Sequence, residues 1–281
     1  MHTETDELSP AAAPAPTPPV ALAAGEGVVE VAAGADVVRC AATAPLRVLT
    51  PKNHGSAAWL FVSSFGGGLV DGDALRLRLT VRAGAEAYLS TQASTKVYRG
   101  SSSQSLEVDV EEYGLFCGLP DPVVCFAGAR FKQAQSVRLG RGASLVWLDA
   151  MCGGRVEHGE RWAFERYESR SRVEREGRLL MEDAVCLDAA HGELARRMRR
   201  FSALATLAAV GPRTAGLRAL WKDEAPLSRG AAAVIAPSPI ADDAVVVRVA
   251  AVSTRELTGA LARLLAPVAE ILGDDPLARK W

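Results

Sequence analysis

Several residue types and patterns are scarce in this 281-residue chain, and each scarcity argues against a class of protein. The four histidines lie in no nucleophile-elbow or cysteine-protease context, which argues against a Ser or Cys hydrolase. No apolar run reaches the roughly 18 residues that a membrane-spanning helix requires. The five cysteines form no Cys-x-x-Cys pair and stand at positions 40, 117, 125, 152 and 186. This odd, scattered set favours free thiols in a reducing compartment over a disulfide framework or a zinc finger.

The chain also lacks an excess of either charge. Lys and Arg number 32 and Asp and Glu number 33, so the formal net charge is −1, whereas nucleic-acid-binding proteins normally carry a basic surplus. A basic run over residues 196–200 is interpreted as a solvated face or a contact with another protein. The N-terminus carries Glu4, Asp6 and Glu7 where a signal peptide would have basic residues. We therefore expect a cytoplasmic protein that binds neither nucleic acid nor a membrane.

The first 26 residues differ in composition from the rest of the chain. They are rich in Ala and Pro, and five prolines between Pro10 and Pro19 argue against a helix or a central strand. The sequence predicts a disordered tail over residues 1–26. Because no later boundary is signalled, it predicts a single β domain over residues 27–281.

Alternating apolar and polar residues dominate that domain. Leu75, Leu77, Leu79 and Val81 alternate with polar residues, which is typical of a half-buried β-strand. Gly84 follows as a turn, and similar glycine turns recur at irregular spacing. The pattern predicts a mainly β fold without a strict repeat, built as a solenoid-like stack of antiparallel strands and hairpins.

A C-terminal helix is predicted after residue 253. Ser253 and Glu256 form a capping box, an apolar stripe follows with helical spacing, and Gly273 is placed to end the helix. Pro267 lies inside the stripe, so we expect the helix to kink or split there.

Two long motifs are more specific than these patterns. The first comprises Gly66-Gly67-Gly68-Leu69-Val70-Asp71-Gly72-Asp73 and the segment 90–99, STQASTKVYR. The second is the segment 119–133, LPDPVVCFAGARFKQ, and Trp147-Leu148-Asp149 follows it. Together they resemble the UreD (UreH) family of urease accessory proteins, from about Pro45 to the C-terminus. The chain departs from the family pattern at Cys125, where proline is usual.

The resemblance implies a scaffold rather than an enzyme. In that family the protein binds UreF, which recruits the GTPase UreG, and the assembly docks on apo-urease. Nickel is then expected to pass through the scaffold in transit, without a stably bound cofactor.

Carboxylates inside apolar runs are the candidate path for such an ion. Asp149 closes one apolar run, and Glu182 and Asp183 interrupt another; both runs are predicted to be buried strands. A buried carboxylate requires a cation, hydrogen bonds or water, and oxygen ligands would hold nickel weakly enough for transit. Cys152 and His158 are a further, transient candidate. The alternative is structural ion pairing, for example with Arg99 or Arg155.

A rival hypothesis from another class is a β-fold hydrolase or a sugar-binding enzyme. It would use Asp149 and Glu182 as a paired acid and base. A third reading is an interaction module without a metal role. Gly66-Gly67-Gly68 supports no phosphate loop, because it fits neither the dinucleotide nor the P-loop pattern, and it is interpreted as a tight turn.

Overall fold

The computed structural model describes residues 21–224 and 230–278. The first 20 residues of the predicted tail lie outside this part of the chain, and the first strand begins at Glu26. The strands are β1 (Glu26–Ala32), β2 (Asp36–Ala42), β3 (Leu46–Leu49), β4 (Ala58–Ser64), β5 (Ala74–Val81), β6 (Glu86–Thr91), β7 (Lys96–Val97), β8 (Gly100–Val110), β9 (Leu115–Gly118), β10 (Val123–Cys125), β11 (Ala129–Leu139), β12 (Ser144–Cys152), β13 (Arg166–Arg175), β14 (Arg178–Asp188), β15 (Ala203–Val210), β16 (Ala233–Ala241) and β17 (Ala244–Ala251). The helices are α1 (Leu194–Met198), α2 (Ala215–Lys222), α3 (Thr254–Leu265) and α4 (Val268–Leu272).

The strands form two sheets, so the prediction of a mainly β fold is confirmed. The seven-stranded sheet has the order β14-β13-β11-β8-β5-β1-β2. The ten-stranded sheet has the order β16-β17-β15-β12-β9-β6-β4-β3, with β10 and β7 attached beside β12.

The central strands of both sheets are parallel and regularly offset. Ala58 of β4 pairs with Ala87 of β6, Ala87 pairs with Phe116 of β9, and Phe116 pairs with Leu145 of β12. Each step spans 29 residues. The strands β5, β8 and β11 of the other sheet pair in parallel with the same offset. The chain therefore alternates between the sheets and returns one strand further along after each 29 residues.

In the predicted solenoid-like stack, the antiparallel pairing and the hairpins are wrong for the central strands, which pair in parallel. The turn at Gly84 does not fold β6 back onto β5; it carries the chain from the seven-stranded sheet to the ten-stranded sheet. The next strand of the first sheet then runs parallel to β5. Antiparallel pairs occur on the flanks, as between β13 and β14 or between β15 and β17. We describe the body as two facing sheets.

Two apolar cores separate three layers. The first core lies between the sheets, and its largest side chains include Phe131, Trp147 and Tyr167. The second lies between the ten-stranded sheet and the helices α2, α3 and α4, where Trp221 and Leu264 are buried. Successive residues of β12 point alternately into the two cores, because side chains alternate across a strand.

The predicted C-terminal helix is confirmed. The Ser253 hydroxyl accepts a hydrogen bond from the Glu256 amide at 3.2 Å, and Gly273 ends the segment with a φ of 68°. The helix splits at Pro267 into α3 and α4. No helix within the described ranges is long and apolar enough to cross a membrane.

Candidate functional site

Two rows of polar side chains cross the inner face of the seven-stranded sheet. Gln104, Gln133 and Ser169 lie in register on β8, β11 and β13. Two residues further along these strands, Gln135 and Ser171 form a second row with Asp183 of β14. The Gln104 amide donates to Gln133 Oε1 at 2.9 Å. The surrounding core is apolar, so these side chains satisfy one another's hydrogen bonds inside it.

Asp149 faces these rows from the opposite sheet. Its Oδ1 accepts a hydrogen bond from Gln133 Nε2 at 2.7 Å, and its Oδ2 accepts one from the Ser169 hydroxyl at 2.5 Å. Within the described part of the chain no basic side chain forms an ion pair with this carboxylate. One of the arginines considered from the sequence, Arg155, pairs with Glu160 instead. Asp149 is therefore held by neutral donors.

Burial is the main influence on the protonation of Asp149. It raises the pKa of this carboxyl above its ordinary value, and the negative charge of Asp183 acts in the same direction. The hydrogen bonds from Ser169 and Gln133 oppose the rise because they favour the ionised form. A cation close to Asp149 would stabilise the carboxylate in the same way as a basic side chain would.

Three cavities adjoin one another through shared lining residues, and Asp149 lines two of them. The central cavity, of about 80 Å³, lies between the sheets and is mostly apolar, with Gln104, Gln133 and Asp149 in its wall. The rim cavity, of about 260 Å³, shares Asp149 and Ala150 with it. The mouth cavity, of about 240 Å³, shares Gln104 and four other residues with the central cavity. Asp149 stands in the wall that separates the central cavity from the rim cavity.

Asp121 is a carboxylate of this site that the sequence analysis did not select. It lines the central cavity and its backbone amide donates to Thr91 Oγ1 at 2.8 Å, while the Thr91 hydroxyl donates to Asp121 Oδ2 at 3.1 Å. Its position in the second family motif was the available signal. The inward positions of Gln133 and Gln135 could also have been read from the alternation along β11.

Asp183 lines the rim cavity and reaches across to the other sheet. Its Oδ1 accepts a hydrogen bond from Arg248 Nη2 at 2.6 Å, and its Oδ2 accepts one from the Thr206 hydroxyl at 3.0 Å. Asp149, Thr206 and Arg248 are direct neighbours across β12, β15 and β17. Asp183 and Asp149 thus border the same cavity from opposite sheets.

Glu182 lies on the other side of its sheet. Neighbouring residues of a strand point to opposite faces, and Glu182 is exposed beside Arg170 at 3.4 Å and Arg172 at 3.8 Å. The expectation that β14 is buried on both faces is wrong, because β14 is the edge strand of its sheet. Glu182 therefore lines none of the three cavities, and the structure does not bring it together with Asp149.

The structure places Cys152 and His158 in different surroundings. Cys152 is buried in the second core, and its sulfur accepts a hydrogen bond from the Thr254 hydroxyl at 3.3 Å. Burial raises the pKa of this thiol, which disfavours the thiolate that binds metals. His158 is exposed at the end of a short 3₁₀ turn. No group of three or more His, Cys, Asp or Glu suited to hold a metal occurs among the described residues.

The glycine-rich motif builds a tight turn, as the sequence predicted. Gly66 and Gly67 adopt positive φ angles of 88° and 73°. A Cβ on Gly68 would lie only 2.6 Å from the Lys96 carbonyl oxygen, so the two motif segments pack backbone against backbone. Asp71 Oδ1 accepts a hydrogen bond from the Ser101 amide at 2.7 Å. The motif supports the walls of the mouth cavity.

Comparison with known proteins identifies the family of this chain. The family model described as UreD urease accessory protein matches residues 25–281. The chain belongs to the UreD family. It is 55% identical to the urease accessory protein UreD of Sorangium cellulosum (strain So ce56) over 243 residues, covering 85% of this chain and 78% of that protein. It is 43% identical to the UreD of Anaeromyxobacter sp. (strain Fw109-5) over 274 residues, covering 94% and 92%.

The family extends to eukaryotes. Urease accessory protein D of Oryza sativa subsp. japonica is 35% identical over 223 residues, covering 76% of this chain and 72% of that protein. In this UreD chain, both motifs that carried the resemblance contribute to the cavities. Thr91, Thr95 and Lys96 of the first line the mouth cavity, and Asp121 and Gln133 of the second line the central cavity.

Proposed function

We propose that this chain acts in urease maturation as a scaffold that passes nickel to apo-urease. Its partners in this proposal are UreF, UreG bound through UreF, and apo-urease. Nickel is the cargo of the scaffold and is not a resident cofactor. The observation that carries the proposal is the succession of three cavities with the Asp149 carboxylate in the wall between two of them. Membership of a family of urease accessory proteins supports the same role.

The chemistry of the cavity walls suits passage better than storage. Hydroxyl, amide and carboxylate oxygens are hard ligands, and they hold divalent nickel less tightly than clusters of thiolate and imidazole do. Asp121, Asp149 and Asp183 are distributed over two cavities and do not converge on one point. An ion that keeps part of its water shell can exchange one carboxylate for the next.

The rival assignment as a hydrolase or sugar-binding enzyme has less support. It needs two carboxylates that flank one substrate, but Asp149 lies inside and Glu182 lies on the outer face. We therefore propose a protein without turnover of its own.

The proposed assembly is tested by co-expression. A tagged copy of the full chain is expressed with UreF, UreG and apo-urease of the same organism, and the proteins that copurify are identified. We expect all three to copurify, with UreG lost when UreF is omitted. Absence of UreF and urease from the eluate of a folded, tagged chain would contradict the proposal.

A further inference from the structure

The rim cavity is crossed by a bridge between the two sheets. This rim bridge consists of Asp183, Thr206 and Arg248, in which Asp183 accepts one hydrogen bond from each of the other two side chains. β14 is the last strand of its sheet, whereas the ten-stranded sheet continues to β17 and β16. Arg248 therefore reaches Asp183 from beyond the sheet edge, where the rim cavity meets solvent.

The rim bridge occupies the carboxylate that a passing cation would need. Both oxygens of Asp183 are engaged, and the Asp183 side chain is only 13% exposed. The Arg248 guanidinium also places a positive charge beside the cavity, which repels a divalent cation there. Asp149 and Asp183 both line the rim cavity. With the bridge formed, Asp183 is paired with Arg248, whereas Asp149 has only neutral hydrogen-bond donors.

The bridge is nevertheless easy to open. The Arg248 side chain is 57% exposed, and an ion pair with an exposed partner contributes little net stability because water screens it. A second contact joins the two sheets nearby, where Arg175 of β13 donates to both carboxylate oxygens of Asp243 in the turn between β16 and β17. Releasing Arg248 therefore leaves the packing of the sheets in place.

We propose that Arg248 is a positioning residue that closes the rim end of the nickel path by holding Asp183. The inference rests on the proposed passage of nickel through the cavities. It adds that the rim end of the path is closed while Arg248 holds Asp183 and opens when Arg248 is released.

The test is the affinity of the purified full chain for Ni²⁺ alone, measured by titration calorimetry. Removing the guanidinium in Arg248→Ala frees Asp183, and loss of one unit of positive charge near the ion should tighten binding about tenfold. Arg248→Lys keeps the charge and should stay close to wild type. Arg248→Met retains the apolar stem and provides a second neutral variant should the alanine variant fail to fold.

Two further variants separate this mechanism from a general change of surface charge. Adding Asp183→Asn to Arg248→Ala should abolish the gain in affinity. Arg138→Ala removes a comparably exposed arginine, which is ion-paired with Asp109 on the outer face, and should leave the affinity unchanged. An unchanged affinity in the folded neutral Arg248 variants, or a gain that persists without Asp183, would overturn the inference. The proposed function stands or falls separately, on nickel loading of urease with Asp149→Asn.

Discussion

Asp149 places a carboxyl group in the apolar interior with only neutral hydrogen-bond donors beside it. The sequence was sufficient to select this residue, because it ends an apolar run on a strand. Its partners Gln133 and Ser169 could not be predicted with it, because they belong to the facing sheet. The expectation that Glu182 lies on a strand buried on both faces is wrong, since an apolar run does not reveal that its strand lies at a sheet edge.

The protonation of Asp149 gives a prediction at the residue scale. Because burial raises its folded-state pKa above the ordinary value of 3.8, the folded protein binds more protons than the unfolded chain as pH increases above that value. Stability contributed by this group is therefore lost as the pH rises through the window from 3.8 to the raised pKa. Asp149→Asn removes the effect, so its melting temperature relative to wild type should increase from about pH 4 towards neutrality.

Thermal unfolding followed by circular dichroism at a series of pH values measures this difference. Asp109→Asn, at an exposed carboxylate that pairs with Arg138, serves as the control and should gain no stability with pH. A constant difference between Asp149→Asn and wild type across the series would show that burial does not perturb Asp149.

At the scale of secondary-structure elements, the strands could be predicted from the sequence more easily than the neighbouring strands with which they pair. Alternation along β5 identified a half-buried strand, but it identifies a face and carries no information on which strand pairs with it. The alternation does not reveal the 29-residue offset, because the offset lies in the backbone register, with Ala87 beside Ala58 and Phe116 beside Ala87. The C-terminal helix was predicted in detail because its caps and its break at Pro267 depend on local sequence.

Gly118 provides a test of the parallel offset. It pairs with Leu89 and with Trp147, each 29 residues away, and the Trp147 ring covers it. A Cβ at Gly118 would lie 2.5 Å from Trp147 Cζ3. Gly118→Ala should therefore lower the free energy of unfolding by about 1–3 kcal/mol, as overpacking of a core does.

Urea unfolding compares this variant with a matched glycine. Gly216→Ala on α2 meets no atom within 4 Å and should be neutral or stabilising. Equal stability of Gly118→Ala and wild type would contradict the parallel pairing of β6, β9 and β12.

At the scale of the whole molecule, the two sheets enclose a line of polar side chains and cavities inside an otherwise apolar core. The sequence of a single strand cannot predict this arrangement, because residues of both sheets line the mouth, central and rim cavities. The family motifs indicated the region, but the order of the cavities depends on how the sheets face each other. This placement supports the proposed path over a catalytic cleft, which would need a converging acid and base.

The nickel content of urease co-expressed with Asp149→Asn tests the central claim most directly. Because Asn keeps the shape of Asp149 but cannot ionise, the account predicts a folded chain that still assembles with its partners but leaves urease with several-fold less nickel and activity. Asp109→Asn, on the outer face, should leave loading unchanged. Fully nickel-loaded urease with intact assembly would contradict the account, and so would loss of folding or assembly, which would assign Asp149 a structural role.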